Sequence, residues 1–412
     1  MSVVSVFSGA YCRAEEVIDH FCGETGFRLI DDEMIVARAQ ELSALPEETL
    51  KRAFSTKPSV FNPFTRERER AHIWLRLAVA EHLQGSGFLL HGRTSHLIPL
   101  SIPHVLRVCL VADAAYRIAA AAAQLGIEAG PAAERIRELD HEQAAWVQAV
   151  NSASDPWDAG RYDMLLPTHA TTPREAAALM RHHLATEALQ ASDLSRRAAR
   201  DFLTAARIQA ALAAEGHFIG VSVQADAAVL TIDRPVLMQE RLEEELAAVV
   251  RNTADLARVE VRVKPAVKEG EAYRKYDADR MSRVLLVDDE REFVQTLSER
   301  LGMRDIGSAT AFDGESALAL LREDEPEVML LDLRMPGIDG MEVLKRVKAE
   351  HPEIEVVILT GHGTEVDRKK CLELGAFAYL EKPVDIDVLS ETLKQANEKM
   401  RARRRKRTGK NT

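Results

Sequence analysis

Four short apolar runs in the last third of the chain each end in a polar side chain, and this arrangement constrains the fold most strongly. The runs 284–287, 328–331, 356–359 and 379–380 lead into Asp288, Asp332, Thr360 and Lys382. Apolar runs of this length are typical of strands buried on both faces of a parallel sheet. Helical patterns near 290–302, 314–323, 339–350, 364–374 and 385–398 separate them. This alternation predicts a doubly wound α/β fold.

The polar residues at the strand ends predict a site for a cation and a phosphoryl group. Carboxyl ends of parallel strands meet at one edge of the sheet, so Asp288, Asp289 and Asp332 converge with Thr360 and Lys382. Carboxylate oxygens suit Mg²⁺, and an aspartate can act as the nucleophile that forms an aspartyl-phosphate. The metal ion and an ammonium group would offset charge on the phosphoryl oxygens.

Residues 283–400 resemble the response-regulator receiver domain of two-component signalling. The matching positions are the acid pair Asp288/Asp289, Asp332 in L-D-L-R-M-P-G-I-D-G, Thr360 in I-L-T-G and Lys382 in E-K-P. The resemblance implies a flavodoxin-like (βα)5 fold and phosphorylation of Asp332 by a sensor histidine kinase or a phosphotransfer protein. It also implies Mg²⁺ bound by Asp288, Asp289, Asp332 and the backbone carbonyl of Arg334. Tyr379 is expected to switch with Thr360, and a homodimer is expected to pair through residues 364–398.

Residues 1–190 predict a separate α/β domain that opens with a strand, a small-residue loop and a helix. Backbone N–H groups in such a loop can hold phosphate. The order of elements resembles the cytidylate kinase-like branch of the nucleoside monophosphate kinases. The resemblance depends on Gly9-Ala-Tyr-Cys-Arg13, Gly26-Phe-x-x-x-Asp31-x-Glu33, His91-Gly-Arg93, Arg137-x-x-Asp140 and Tyr162-Asp163. It implies a P-loop-kinase-like fold that binds ATP or another nucleotide through Gly9, Tyr11, Arg13, Arg93 and Arg137.

The departures from that family leave the activity of residues 1–190 open. A working phosphate loop needs glycines and a lysine, but Ala14 and Glu15 stand where the second glycine and the lysine align. Gln143 replaces an arginine of the lid pattern R-x-x-D-x-x-R, and Asp32 replaces the arginine of a separate Asp-Arg-Glu motif. Arg13 is expected to compensate in part, because guanidinium binds phosphate well. The alternatives are a receiver-regulated kinase of CMP, dCMP or a related nucleotide, a kinase-like fold that senses or binds without turnover, and an unrelated α/β fold.

Residues 193–268 predict a smaller α+β domain with the order helix–strand–strand–helix–strand. This order, Arg207-x-x-x-Ala211, the alternation through Val221 and Val223, and V-x-V-x-V-K at 259–264 resemble the BON domain. The glycine usual before the second strand is absent near Ala227. A generic α+β interaction module is the alternative. Residues 269–282 are charged without apolar periodicity, which predicts a linker.

Composition and the remaining segments point to a cytoplasmic signalling protein without a DNA-reading element. The net charge of −11 argues against bulk nucleic-acid binding. The four cysteines show no C-x-x-C spacing, which favours reduced thiols. No signal peptide and no transmembrane segment are predicted. The basic tail 401–412 could touch nucleic acid or anionic lipid or be solvated, and no helix-turn-helix follows the receiver-like region.

Overall fold

The computed structural model describes residues 2–43, 45–57, 59–153, 155–234, 236, 239–264, 275, 283–361 and 363–408, except for the side chains of 404–408. The chain forms two compact units. The first contains Met1–Pro58 and Glu67–Tyr276, and the second contains Ser59–Arg66 and Asp277–Thr412. The predicted linker 269–282 lies outside the described residues except for residue 275, as do residues 409–412 of the basic tail.

The first unit is built on a parallel sheet whose described strands follow the order β2-β3-β1-β4-β5. These strands are β1 (Val3–Ser8), β2 (Arg28–Asp31), β3 (Phe88–His91), β4 (Val105–Val111) and β5 (Met164–Pro167). The central strand β1 pairs with both β3 and β4 over nearly its whole length. Such central strands are buried on both faces, which explains their continuous apolar sequences. The predicted parallel α/β fold is confirmed for this part of the chain.

Helices cover both faces of this sheet, and local sequence sets where they begin and end. They are α1 (Ala14–Thr25), α2 (Asp32–Ser43), α3 (Glu47–Arg52), α5 (Glu67–His82), α6 (Ala114–Leu125), α7 (Ala129–Asn151) and α8 (Pro173–Leu184). Thr172 and Glu175 form a capping box at the start of α8, with Pro173 in its first turn. The helical pattern predicted over 34–56 is divided into α2 and α3, because Pro46 opens the second helix and restricts the residue before it.

One helix is shared by two hydrophobic cores of the first unit. It is α9 (Asp193–Ala214), which precedes a small mixed sheet. Phe202, Ala206 and Ala210 on α9 belong to the core that contains α5 and Trp146. Ile208 and Leu212 belong to the core of the small sheet. Side chains at these spacings lie on different faces of a helix, so α9 has an apolar surface toward each core.

The small sheet has the element order predicted for residues 193–268. After α9 come β6 (Gly220–Gln224), β7 (Ala227–Ile232), α10 (Gln239–Thr253) and β8 (Arg258–Val263). Strands β6 and β7 pair antiparallel, and β7 and β8 pair parallel. A BON domain remains a prediction for this region.

The second unit has the doubly wound architecture predicted from the four apolar runs. Its described strands, in the order β10-β9-β11-β12-β13, are all parallel. They are β9 (Val284–Val287), β10 (Ser308–Ala311), β11 (Val328–Leu331), β12 (Glu355–Thr360) and β13 (Ala378–Glu381). The helices are α11 (Arg291–Gly302), α12 (Gly314–Glu323), α13 (Gly340–Glu350), α14 (Glu365–Glu373) and α15 (Ile386–Thr408). This is the flavodoxin-like strand order, in which the order reverses beside β9.

The second unit also contains a short segment from much earlier in the chain. Ser59–Arg66 belongs to this unit and includes the single-turn helix α4 (Asn62–Thr65). No sequence feature predicted that this segment, which lies within the domain predicted over 1–190, belongs to the second unit. Phe61, in this segment, is fully buried.

Candidate functional site

Strand register places the predicted phosphoryl site at the carboxyl edge of the second sheet. Strand β11 pairs with β9 so that Leu331 lies beside Val287, which brings Asp332 next to Asp288. The backbone N–H of Asp332 donates to the carbonyl of Val287 at 2.9 Å. On the other side, the N–H of Lys382 donates to the carbonyl of Thr360 at 3.0 Å. Main-chain hydrogen bonds therefore fix the positions from which these side chains project.

Three carboxylates form the centre of this site. One oxygen each from Asp288, Asp289 and Asp332 lie within 4.8 Å of one another. Asp288 and Asp332 are buried, whereas Asp289 is exposed. Burial raises the pKa of Asp288, and the hydrogen bond from Lys382 opposes that shift. Three carboxylates this close repel one another, so the arrangement favours a bound cation.

Lys382 supplies the positive charge on the other side of the cluster. Its Nζ donates to Asp288 Oδ2 at 2.6 Å and to Glu290 Oε1 at 3.1 Å. Burial alone would lower the pKa of Lys382, but the contacts with Asp288 and Glu290 outweigh burial and raise it. Its Nζ also lies 4.2 Å from the centre of the Phe293 ring. Lys382 is therefore charged and held against the carboxylates.

One oxygen of Asp332 lacks a hydrogen-bond partner. Its Oδ2 accepts from the backbone N–H of Arg334 at 3.3 Å, while the buried Oδ1 has no partner among the residues that the structure describes. A buried acceptor left in this way is unfavourable in a purely structural role. It is the arrangement expected of an oxygen that binds a metal ion or a phosphoryl group.

The two predicted switch residues lie near this edge. Thr360 ends β12 and is buried, whereas Tyr379 on β13 is partly buried. Within the described part of the chain, the Tyr379 hydroxyl has no hydrogen-bond partner. A Cβ at Gly363 would lie 1.5 Å from that hydroxyl and 3.0 Å from Thr360 Cγ2. Gly363 therefore leaves the space in which the ring lies.

The predicted phosphate loop in the first unit follows β1 at the carboxyl edge of that sheet. The N–H of Gly9 bonds to the carbonyl of Leu110, and Tyr11 and Arg13 have the positive φ values 62° and 54°. Arg13 is the N-cap residue of α1, but its side chain makes no capping hydrogen bond to the helix backbone. Its Nε donates to Glu16 at 2.6 Å instead. The charge that was expected to replace the missing lysine is thus paired with a neighbouring carboxylate.

Arg117, which was not predicted from the sequence, holds this loop together with Asp140 and Gln143. The Arg117 Nε donates to the carbonyl of Ala10 at 2.8 Å, and its two terminal nitrogens bind both oxygens of Asp140 at 3.0 and 2.6 Å. Gln143 donates to the carbonyl of Ser8 at 3.1 Å. A Cβ at Gly9 would lie 3.6 Å from both Arg117 and Trp157. The loop is therefore filled and bonded by the protein's own side chains.

Arg93 and Arg137 lie in different environments. The Arg93 guanidinium donates to the carbonyl of Phe54 and to Glu142, each at 3.0 Å. Its backbone N–H donates to Asp32, which also accepts from the N–H and hydroxyl of Thr94. Arg137 lies exposed on α7. The structure brings Gly9, Tyr11 and Arg13 together in one loop, whereas Arg93 is engaged in structural contacts.

Comparisons with known proteins agree with this geometry. Residues 284–394 match the family described as response regulator receiver domain, and residues 3–170 match the cytidylate kinase-like family. The transcriptional regulatory protein CpxR of Klebsiella pneumoniae is 46% identical over 103 residues, which are 25% of this chain and 44% of that protein. The chain thus spans less than half the length of this relative.

Two further proteins match the same region. The C4-dicarboxylate transport transcriptional regulatory protein DctD of Pseudomonas aeruginosa is 34% identical over 120 residues, covering 29% of this chain and 26% of that protein. The solved receiver domain of NtrX from Brucella abortus is 33% identical, covering 28% of this chain and 98% of that one, with a TM-score of 0.27.

The family match and the strand-end residues together decide the identity of the C-terminal region. Residues 284–394 are a response regulator receiver domain. The receiver is preceded in the chain by a cytidylate kinase-like domain at residues 3–170. Both resemblances inferred from the sequence are confirmed, and homology with response regulators supports a role in two-component regulation. Of the described helices, none has the length and apolar character needed to span a bilayer.

Part of the predicted basic tail belongs to the last helix of the receiver, α15. Helix α15 continues to Thr408, and Arg403 donates to the fully buried Glu355 at 2.7 Å. Lys399 donates to the same carboxylate at 3.1 Å, and Arg401 lies 3.6 Å from Glu327. A buried carboxylate needs such partners to remain charged. These basic side chains therefore stabilise the receiver itself.

Proposed function

We propose that this protein is a two-component response regulator that accepts a phosphoryl group on Asp332 from a sensor histidine kinase or a phosphotransfer protein. The buried Oδ1 of Asp332 carries this proposal, because it has no hydrogen-bond partner among the described residues and its carboxylate clusters with those of Asp288 and Asp289. A carboxylate oxygen in this position can act as a nucleophile. Lys382 lies on the same side, where it offsets negative charge as phosphate approaches.

The proposed step transfers a phosphoryl group between two side chains. A carboxylate oxygen of Asp332 forms a bond to phosphorus while the phosphorus–nitrogen bond of a phosphohistidine breaks. The leaving imidazole nitrogen keeps the electron pair and takes up a proton from solvent. Lys382 contacts the phosphoryl oxygens after it releases part of its contact with Asp288, and the hydroxyl of Thr360 donates to one of them. Tyr379, whose hydroxyl occupies the space beside Gly363, then reorients together with Thr360.

The donor set fits Mg²⁺. Asp288, Asp289 and Asp332 would hold the ion through carboxylate oxygens, and the resemblance to receiver domains implies the backbone carbonyl of Arg334 as a further ligand. Mg²⁺ prefers a few carboxylate ligands and completes its shell with water and phosphate oxygens. When bound, it supplies positive charge to the phosphoryl oxygens. It also relieves the repulsion between the three carboxylates.

Labelling with a small phosphodonor tests this proposal directly. The full chain is incubated with acetyl phosphate and Mg²⁺, and intact-mass spectrometry measures the phosphorylated fraction. Asp332→Asn removes the nucleophile and is expected to abolish the label. Asp339→Asn is the matched control, because Asp339 lies in the same loop and caps α13, a role that asparagine also fills. Equal labelling of wild type and Asp332→Asn would contradict the proposal.

We further propose that the kinase-like domain serves as a sensor or output without turnover. The contacts made by Arg117 and Gln143 in the loop after β1, and the pairing of Arg13 with Glu16, support this interpretation. The alternative is a receiver-regulated kinase that phosphorylates CMP, dCMP or another nucleoside monophosphate with ATP. That reaction needs positive charge around the triphosphate, and Glu15 opposes it.

A titration of the full chain separates these alternatives. ATP–Mg²⁺ and CMP are titrated by calorimetry, and ADP release is followed with CMP, dCMP, UMP and AMP. We expect no turnover. The Glu15→Lys variant restores the missing lysine and is expected to raise ATP affinity about tenfold. ADP formation that depends on a nucleoside monophosphate would establish the kinase instead.

The predicted homodimer through residues 364–398 is part of the same proposal. Val366, Leu372 and Val388 are exposed on this part of the receiver. Exposed apolar side chains of this kind favour association. Light scattering with and without acetyl phosphate is expected to show a larger mass for the phosphorylated form of the wild type only, and not for Asp332→Asn.

A further inference from the structure

The receiver holds a segment that the chain supplies from between α3 and α5. The backbone N–H of Val60 donates to Asp324 Oδ2 at 2.9 Å, although the two residues are 264 positions apart. Asp324 is buried at the end of α12. A charged acceptor in a buried position makes a strong hydrogen bond. Residues 59–66 are therefore fixed to the receiver by a specific polar contact.

Two phenylalanines add an apolar contact to this attachment. Phe61 is fully buried, and the guanidinium carbon of Arg283 lies 5.3 Å from the centre of its ring. Phe64 lies against Gly307, where an added Cβ would be 2.5 Å from Phe64 Cγ and 2.7 Å from its Cβ. The receiver thus has a glycine where Phe64 needs space.

The segment is connected on both sides to the surroundings of Arg93. On one side, residues 55–58 separate it from Phe54, whose carbonyl accepts from Arg93. On the other side, α5 begins at Glu67 and carries His72, whose ring centre is 5.0 Å from that of Trp146. Trp146 donates to the carbonyl of Arg93 at 2.7 Å. The segment is therefore separated from contacts of Arg93 by only a few residues of chain on either side.

Helix α12 connects the attachment point with the loop that follows Asp332. Gly314 begins the helix, and a Cβ there would lie only 2.7 Å from the carbonyl oxygen of Ile338. Asp324 ends the helix at the segment. A helix moves largely as a rigid element, so displacement of one end of α12 also displaces the other end.

We propose that residues 59–66 are an intramolecular ligand through which the receiver controls the kinase-like domain. Phosphorylation of Asp332 changes how tightly the receiver holds this segment. This part rests on the proposed function of the receiver. The attachment site on the receiver is occupied by residues 59–66 of the same chain and not by those of a second copy.

A glycine pair gives a matched test of the attachment. In Gly307→Ala, the new methyl group collides with Phe64, and the backbone of Gly307 lies outside the left-handed region that would itself disfavour alanine. In the control Gly302→Ala, the methyl group meets no atom within 4 Å. Hydrogen–deuterium exchange of the Val60 amide is measured in the full chain. We expect exchange at least about tenfold faster in Gly307→Ala and unchanged in Gly302→Ala.

A double variant distinguishes loss of the attachment from general damage to the receiver. Phe64→Ala removes the ring with which the methyl group collides. Gly307→Ala is therefore expected to have little further effect on Val60 exchange in the Phe64→Ala background, so the two substitutions are not additive. Equal exchange of Val60 in wild type and Gly307→Ala, or full additivity of the two substitutions, would overturn the proposed attachment.

Phosphorylation tests the regulatory part. Wild type and Asp332→Asn are treated with acetyl phosphate and Mg²⁺, and Val60 exchange is compared with the label on Asp332. We expect a change of at least about threefold in wild type and none in Asp332→Asn. Labelled wild type with unchanged Val60 exchange would refute the inference and leave the proposed function intact. Absence of the label would refute the proposed function itself.

Discussion

The carboxyl edges of the two parallel sheets use similar side chains in opposite ways. In the receiver, the Oδ1 of Asp332 is buried and has no partner among the described residues. In the kinase-like domain, Arg117 binds both oxygens of Asp140 and the carbonyl of Ala10. The first edge keeps a carboxylate oxygen available for a ligand, whereas at the second edge the charged groups of Arg117 and Asp140 are paired with each other. Charged residues near the carboxyl edge of a parallel sheet therefore do not by themselves indicate a reactive site.

Removal of Mg²⁺ is expected to give the largest contrast between the two edges. Chelation should reduce labelling of Asp332 by acetyl phosphate by about a hundredfold, because the three carboxylates then repel the incoming phosphoryl group. Lys382→Met is expected to slow labelling by about tenfold. Intact-mass spectrometry measures both effects. Labelling that is unaffected by chelation would mean that the carboxylate cluster does not require a cation.

Substitution of Arg117 should affect stability instead of labelling. Arg117→Met leaves Asp140 without its partner and should lower the free energy of unfolding of the first unit by about 3 kcal/mol. All three tryptophans, Trp74, Trp146 and Trp157, lie in that unit, so tryptophan fluorescence in urea reports its unfolding.

The control for Arg117 is Arg135→Met. Arg135 pairs with Glu138 on the surface of α7 and should change stability by less than about 0.5 kcal/mol. Increased nucleotide binding by Arg117→Met without loss of stability would show that Arg117 closes a working site.

A pH titration tests whether the buried His96 of the kinase-like domain is neutral in the folded protein. Burial lowers the pKa of His96 to about 3, below its value in an unfolded chain. The unfolded state therefore binds the proton first as the pH falls below about 6.5, and stability is lost until the folded pKa is reached. We expect His96 alone to account for a loss of about 2 kcal/mol between about pH 7 and about pH 5. His72, whose pKa burial lowers to about 4, adds to this loss.

Tryptophan fluorescence in urea at several pH values measures this loss. His96→Gln should flatten the pH dependence, whereas substitution of the exposed His182 should leave it unchanged. A wild-type profile that does not change over this range would contradict the buried, neutral state of His96.

The smallest expected effect concerns the carboxylate repulsion in the receiver. Asp289 is the exposed member of the cluster, so Asp289→Asn should stabilise the receiver without Mg²⁺ by about 0.5–1 kcal/mol. The same change should weaken the stabilisation that Mg²⁺ confers. Thermal unfolding with and without Mg²⁺ measures both. Glu292→Gln, in the first turn of α11, is the control outside the cluster.

Most of the receiver fold could be predicted, because the sequence patterns that indicate it lie within short stretches of the chain. Four of the five described strands contain the predicted apolar runs, and the site residues follow or end these strands, so one sheet order places them together. Strand β10 (Ser308–Ala311) was not predicted, because its sequence Ser-Ala-Thr-Ala is not an apolar run. Asp288, Asp332 and Lys382 converge for this reason. The starts of α12 and α13 agree with the predicted helices, and Asp313 and Asp339 are their N-caps. Helix α15, however, continues to Thr408, beyond its predicted end at 398.

The contacts of the kinase-like domain could not be predicted, because they join residues far apart in sequence. Arg117 and Asp140 lie on different helices, and nothing near either residue indicates a pair. The same holds for Asp32, which accepts from Arg93 and Thr94. The contacts of the segment 59–66 with the receiver could not be predicted for a related reason. Its partners, Asp324 and Gly307, are ordinary residues until the fold brings them to it.

The sharing of α9 limits how this protein can be divided. Because Phe202 belongs to the core around Trp146 while Leu212 belongs to the core of the small sheet, neither part has a complete interior of its own. A fragment that ends at residue 190 would leave large apolar surfaces in water and is expected to aggregate. In evolution, replacement of the small sheet together with α9 would also have required substitutions in the core around Trp146. The two parts must therefore be inherited, expressed and engineered together.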